Sequence, residues 1–207
     1  GDGTVDTAIA MPAEVAAGIG FQTDPRKVLS FRPSFALGNA TMGNGSRYEF
    51  GVEVGVRPSS RLEIWVQPNL LSRTDPTQYV ATVGVLPYEP TFGKRYLFGE
   101  IERREVAIQT RIDWTFSPTL TLQVFAQTLL ASGDYIRYGQ LAEPGTFRFD
   151  HFEEGRVLDD GGTRGCVGGR TCETQDHIRY FDFDGDGISD HSFRDLDFTV
   201  RSLIGNA

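Results

Sequence analysis

The chain has 207 residues, 39% of them hydrophobic and 23% charged, and its 15 Phe and 7 Tyr supply ample material for burial, which excludes a disordered or low-complexity protein. A net charge of −8 argues against a nucleic-acid partner, and two Cys are too few for a disulfide scaffold. No apolar run reaches the roughly 18–20 residues of a transmembrane helix, which excludes helical membrane proteins but not those that cross with strands.

Taken in chain order, the dominant signal is alternation with period two, the signature of strands whose successive side chains point to opposite faces. Weak copies at Ala17-Ile19-Phe21 and Leu29-Phe31-Phe35-Leu37 lead into the clearest run, Arg47 to Arg57. There Tyr48, Phe50, Val52, Val54 and Val56 share one face, and Arg47, Glu49, Gly51, Glu53, Gly55 and Arg57 the other. Leu62, Ile64 and Val66 oppose Glu63 and Gln67, with Trp65 on the polar side, and a weaker run covers Tyr79 to Val85. After Tyr96-Leu97-Phe98, a second long run sets Val106, Ile108, Ile112, Trp114 and Phe116 against Glu105, Gln109, Arg111 and Asp113. Leu120, Leu122, Val124 and Ala126 then oppose Thr121, Gln123 and Gln127, and Leu196-Phe198-Val200 closes the series. No segment carries a 3.6-residue apolar stripe longer than two turns, so the expected fold is all-β, a single region spanning residues 1–207.

The connections fall into two kinds. Asp24-Pro25-Arg26-Lys27, Arg57-Pro58-Ser59-Ser60-Arg61 and Phe116-Ser117-Pro118-Thr119-Leu120 are tight turns with Pro where its fixed φ helps. Longer links are expected at residues 38–45, 72–77 and 86–94, and one long Gly/Asp-rich loop at about 132–192. Short turns at one end and long loops at the other suit an outer-membrane barrel. Arg47–Arg57 and Glu105–Phe116 also match the roughly 9–11 residues of a tilted membrane strand, against about 5–6 in soluble sheets. The only two Lys, Lys27 and Lys94, fall in turns or loops, so the polar face lacks the usual solvent-facing lysines. The expectation is an antiparallel up-and-down meander forming part of a transmembrane barrel. Glu49, Glu53, Glu63, Gln67, Gln109, Arg111, Asp113, Gln123 and Gln127 would face its lumen. Tyr48, Phe50, Val52, Val54, Val56, Val106, Ile108, Ile112, Trp114, Leu120, Leu122 and Val124 would face lipid. The opening Gly1-Asp2-Gly3-Thr4 carries no leader and the last residues read as a strand that stops without a turn, so the chain reads as a fragment of a longer protein.

Several segments, in order, carry a family likeness: Thr23-Asp24-Pro25-Arg26-Lys27, Arg57-Pro58-Ser59-Ser60-Arg61-Leu62-Glu63, Gln78-Tyr79-Val80 and Arg95-Tyr96-Leu97-Phe98-Gly99-Glu100-Ile101. Thr115-Phe116-Ser117-Pro118-Thr119-Leu120-Thr121-Leu122-Gln123, Ser132-Gly133-Asp134-Tyr135, Leu141-Ala142-Glu143-Pro144 and Asp197-Phe198-Thr199-Val200-Arg201-Ser202-Leu203 follow. From about residue 17 onward the chain resembles the C-terminal region of bacterial domain-of-unknown-function family 5916. That resemblance implies an outer-membrane β-barrel, accompanied elsewhere in such proteins by a signal peptide and a module like the family-9 carbohydrate-binding modules. It implies a further strand rich in Trp, Arg and Tyr after the Arg-Ser-Leu segment, and it supplies no catalytic residues.

One motif carries chemistry. In Asp182-Phe183-Asp184-Gly185-Asp186-Gly187-Ile188-Ser189-Asp190, carboxylates at the first, third, fifth and ninth positions and the Ile188 carbonyl can wrap a calcium ion. The twelfth position is Phe193 rather than a bidentate Glu, so a weak structural site of about 10⁻⁴–10⁻³ M is expected, against a plain solvated acidic loop. Cys166 and Cys172 suit a small disulfide loop in an exported protein; the competing reading is zinc, with His177 and His191 as further ligands. Catalysis is not expected. Its only candidates are the pairs Glu100 with Glu102 and Glu153 with Glu154, as a glycosidase acid and base. The favoured reading is therefore a bacterial outer-membrane segment, partnered by lipid and by the rest of its own chain. It would pass or present small polar solutes such as saccharides. The alternative is a soluble exported β-sandwich binding domain with a calcium-stabilised loop.

Overall fold

The computed structural model describes residues 9–160 and 163–206. It is all-β, with antiparallel sheets and 68% of residues in strands; among the described residues there is one 3-10 turn, at Glu89–Thr91, and no closed barrel. The strands are β1 (Glu14–Gly20), β2 (Leu29–Ala40), β3 (Ser46–Ser59), β4 (Leu62–Val83), β5 (Arg95–Ser117) and β6 (Leu120–Leu141). After these come β7 (Phe149–His151), β8 (Arg156–Asp160), β9 (Thr163–Val167), β10 (Thr171–Glu173), β11 (Ile178–Phe181), β12 (His191–Arg194) and β13 (Phe198–Asn206). The main sheet runs β1-β2-β3-β4-β5-β6-β13, with β7 beside β6. Separate sheets hold β10-β11-β12 and β8-β9.

Two expectations about loops are corrected. Residues 72–77 do not form a link: they lie inside β4, a continuous strand of 22 residues. The last β3–β4 register pair is Ser46↔Thr74, so Pro76 sits where β4 has lost that neighbour and a missing N–H breaks no bond to it. The stretch 132–192 is likewise no single loop, since β6 runs on to Leu141 and β7 to β11 follow. The Gly residues that suggested a loop separate strands of only three to five residues. Strand β5, read as two pieces around residues 96–98 and 105–116, is one ribbon of 23 residues.

Contacts divide the chain into two compact units, and β4, β5 and β6 each contribute to both. One unit, here the cored unit, comprises Asp75–Ile101, Asp134–Asp197 and the described residues up to Ala13. The other, the sheet unit, comprises Glu14–Thr74, Glu102–Gly133 and the described residues from Phe198.

The cored unit packs conventionally. Val83, Leu97, Tyr138, Phe152, Phe181 and Phe183 form a buried cluster, with Phe181 touching Tyr138, Phe152 and Phe193 at ring separations of 5.4, 5.8 and 5.1 Å. A second cluster joins Cys166, Cys172 and Tyr180 to Val157 and Ile178. Arg179, nearly buried, reaches Glu154 at 2.7 Å, Asp195 at 2.8 Å and Glu173 at 2.9 Å, and lies over the Tyr138 ring at 5.0 Å. Burial opposes the guanidinium charge, but these carboxylates outweigh it and hold its pKa above the ordinary value.

The sheet unit is built the other way round. Every buried hydrophobic side chain among the described residues belongs to the cored unit. In the sheet unit the buried positions are small: Ser30, Gly38, Gly45, Gly51, Gly55 and Gly133. Registers Ser30↔Gly55, Arg32↔Glu53, Ser34↔Gly51 and Ala36↔Glu49 keep one face polar and small, while Leu29↔Val56, Phe31↔Val54, Phe35↔Phe50 and Leu37↔Tyr48 keep the other apolar. On that apolar face Phe35, Phe50, Leu70, Leu120 and Leu130 remain between 41% and 59% exposed.

Candidate functional site

Two places gather the polar chemistry: the small-residue face of the sheet unit and the Asp-rich loop of the cored unit. On the first, glycine and serine let neighbouring side chains lie across the strands. Gly55 stands opposite Trp65, and a Cβ there would come within 2.5 Å of both the Trp65 ring and Ser30 Oγ, so only glycine fits. Ser30 and Ser34 hydroxyls donate to the Gly55 and Gly51 carbonyls at 3.5 Å.

Charges on this face are paired rather than scattered. Arg47 binds Glu49 at 2.5 Å and lies 3.8 Å from Glu14, and Asn69 Nδ2 donates to Glu49 at 3.2 Å. Arg73 lies 3.9 Å from Glu14, Arg32 lies 3.7 Å from Glu53, and Arg57 binds Glu63. Nearer the tight-turn end, Arg111 is bidentate to Asp113, at 2.8 and 3.3 Å. The expected set of Glu49, Glu53, Glu63, Gln67, Gln109, Arg111, Asp113, Gln123 and Gln127 is thus spread over β3, β4, β5 and β6, with Gln67, Gln109, Arg111 and Gln123 exposed. This makes a ladder of alternating sign that can hydrogen-bond a polar, uncharged molecule at many points and leaves no single-signed field. The closing strand departs from the expected pattern. Its register puts Val200 and Ile204 opposite Ala131 and Gln127, and Arg201 and Leu203 opposite Leu130 and Thr128, so its apolar residues divide between the two faces.

In the Asp-rich loop, Asp182 is 1% exposed and accepts the Gly185 and Gly187 amides at 2.6 and 2.7 Å. Gly185 and Gly187 have φ of 81° and 88°, a region costly to a residue with a Cβ, and this winds the chain around the carboxylates. Asp184 accepts the Asp186 amide, Asp186 the Ile188 amide, and Asp190 the Phe183 amide at 2.7 Å. Of the four expected carboxylate ligands, oxygens of Asp182, Asp184 and Asp190 gather within 4.8 Å of one another, and Asp186 is not in that group. Burial raises the Asp190 pKa, the Phe183 amide opposes the rise, and the charges of Asp184, Asp182 and Asp186 add to it.

Cys166 in β9 and Cys172 in β10 are joined by a disulfide with Cα atoms 5.6 Å apart, which leaves no thiolate for zinc. Three of the four carboxylates considered for catalysis are engaged by arginines: buried Glu100 by Arg137, Glu102 by Arg104 at 3.5 Å, and Glu154 by Arg179. Sequence reasoning missed the Arg179 hub, because its partners lie 6 to 25 residues away. It also missed Arg104, whose parity with Val106 and Ile108 was visible.

Comparison of the chain with family models, curated proteins and solved structures returns no match.

Proposed function

We propose that the chain is a segment of a bacterial outer-membrane β-barrel, related to the C-terminal region of domain-of-unknown-function family 5916. Its small, polar face would line a lumen that passes or presents small polar solutes such as saccharides, without chemical turnover. The observation that carries this reading is the inversion in the sheet unit: Gly and Ser at the buried positions, Phe and Leu at the exposed ones. In water an apolar face of this extent is destabilising and aggregates, whereas in a bilayer it is the side that belongs outside. From Val106 to Phe116 the strand rise gives roughly 33 Å, or about 23 Å along the membrane normal at a tilt near 45°, close to the apolar band of such barrels. Strands β1 and β13 each have one neighbour among the described residues, so closure calls for further strands or for pairing of these two edges. A calcium ion at Asp182, Asp184 and Asp190 would staple the loop beside the disulfide in the cored unit.

The buried Phe181 cluster favours a second reading, a soluble exported β-sandwich binding domain with a calcium-stabilised loop. Cell fractionation separates the two. The membrane reading expects the chain in outer-membrane pellets, released by detergent and retained through carbonate or high-salt washes. Recovery in the soluble periplasmic or secreted fraction overturns it.

A further inference from the structure

The apolar face of the sheet unit changes character away from the tight turns. On β5, Arg104 shares the parity of Val106 and Ile108, and Arg201 stands opposite Leu130 across the β6–β13 pair, so both arginines lie on the apolar face. One same-face step beyond the Arg201–Leu130 pair lies a polar boundary row, in which Thr199 faces Ser132 and Tyr48 faces Ser72. Directly beneath it is an open groove of about 530 Å³, floored by Phe50, Leu70, Val106 and Leu130 and bordered by Arg104 and Arg201.

Position decides what two cations can do there. An arginine on the lipid side costs about 2–4 kcal/mol at the bilayer midplane and close to nothing at the headgroup level. Arg104 and Arg201 border the groove on the side of the long connections, Arg201 level with Leu130 on its floor, where in the membrane reading a phosphate ester would meet its acyl chains. Arg104 lies 3.5 Å from Glu102 in an exposed pair of little strength, and a guanidinium has five N–H donors, so that contact leaves it able to bind a phosphate. In a chain of net charge −8, two arginines over an apolar trough complement one molecule in particular: an anion with hydrocarbon tails.

We propose that this place binds one anionic diacyl lipid of the surrounding membrane, an acyl chain lying in the groove and the phosphate held between Arg104 and Arg201. The inference rests on the membrane reading and adds a fixed, headgroup-selective lipid to it. To test it, the full chain is reconstituted into phosphatidylcholine vesicles with and without phosphatidylglycerol, and native mass spectrometry counts the lipids that stay bound on release. Phosphatidylglycerol is expected to be retained in preference, by about fivefold for each arginine. The preference disappears in the Arg104→Gln/Arg201→Gln double variant, survives largely in the Arg104→Lys/Arg201→Lys variant, and is unchanged by Arg111→Gln on the opposite face. Insertion with equal retention of both lipids, or a preference that persists in the glutamine double variant, overturns the lipid site and leaves the membrane reading standing. A well-folded chain that enters neither vesicle overturns both.

Discussion

The two units use one kind of secondary structure toward opposite ends. In the cored unit, aromatic side chains turn inward and Phe181 is fully buried among Tyr138, Phe152 and Phe193. In the sheet unit the buried positions belong to small residues such as Gly55, Gly51 and Ser30, and Phe50 stands 46% exposed. The same three ribbons, β4, β5 and β6, take part in both arrangements. Hydrophobic content therefore does not define a core; the side to which the pleat directs it does.

The contrast can be broken most sharply by truncating an aromatic in each unit. Phe181→Ala is expected to cost about 3–5 kcal/mol in urea unfolding followed by near-ultraviolet circular dichroism, whereas Phe50→Ala costs about 1 kcal/mol or less. Equal costs would mean that Phe50 is covered by something it does not touch here. Next in size is the charge pair Val54→Arg and Glu53→Arg, neighbours on β3 that point to opposite faces. Val54→Arg should lose about 2–4 kcal/mol of assembly in lipid, read by heat-modifiable gel mobility, and Glu53→Arg far less. If both assemble equally well, the faces are assigned the wrong way round.

Opening the disulfide with Cys166→Ser and Cys172→Ser is expected to destabilise the cored unit by about 2 kcal/mol, as suits a loop closed over a separation of six residues, and to leave the sheet unit's melting unaltered. Smallest is calcium, worth about 1.4 kcal/mol at tenfold excess over Kd, seen as a rise in the melting midpoint that Asp190→Asn abolishes. Its pH dependence has a fixed sign. Since burial and neighbouring carboxylates raise the Asp190 pKa in the folded chain, ionising it costs stability. That cost is fully present above the folded pKa and is relieved as pH falls toward the ordinary value near 3.8. Calcium should therefore stabilise more at neutral pH than near pH 4, and a midpoint insensitive to calcium at neutral pH removes the ion from the loop.

The strands and turns of the sheet unit were legible where one face is mostly polar or small, as on β3. Arg47 to Arg57 alternates cleanly, and the strand found there is Ser46–Ser59. The signal failed where both faces become buried: Leu97, Phe98, Gly99, Glu100 and Ile101 are all buried, so no alternation tied residues 96–98 to 105–116. It failed again in the cored unit, where strands of three to five residues are too short to show a period. Within the candidate sites, Asp182, Asp184 and Asp190 could be read from spacing alone. The pairing of Arg179 with Glu154 could not, since only tertiary folding brings it about.

Both rims of the seven-strand path have further consequences for anyone handling the molecule. β1 is exposed along its whole length, and β13 nearly so, each with a row of amide and carbonyl groups turned away from its one neighbour among the described residues. Where no further strand covers them, two such margins can pair with those of another copy, rim to rim, into growing ladders. Concentration, not temperature, would then set the shelf life of a purified sample, and a short peptide copying Glu14–Gly20 would act as a chain terminator.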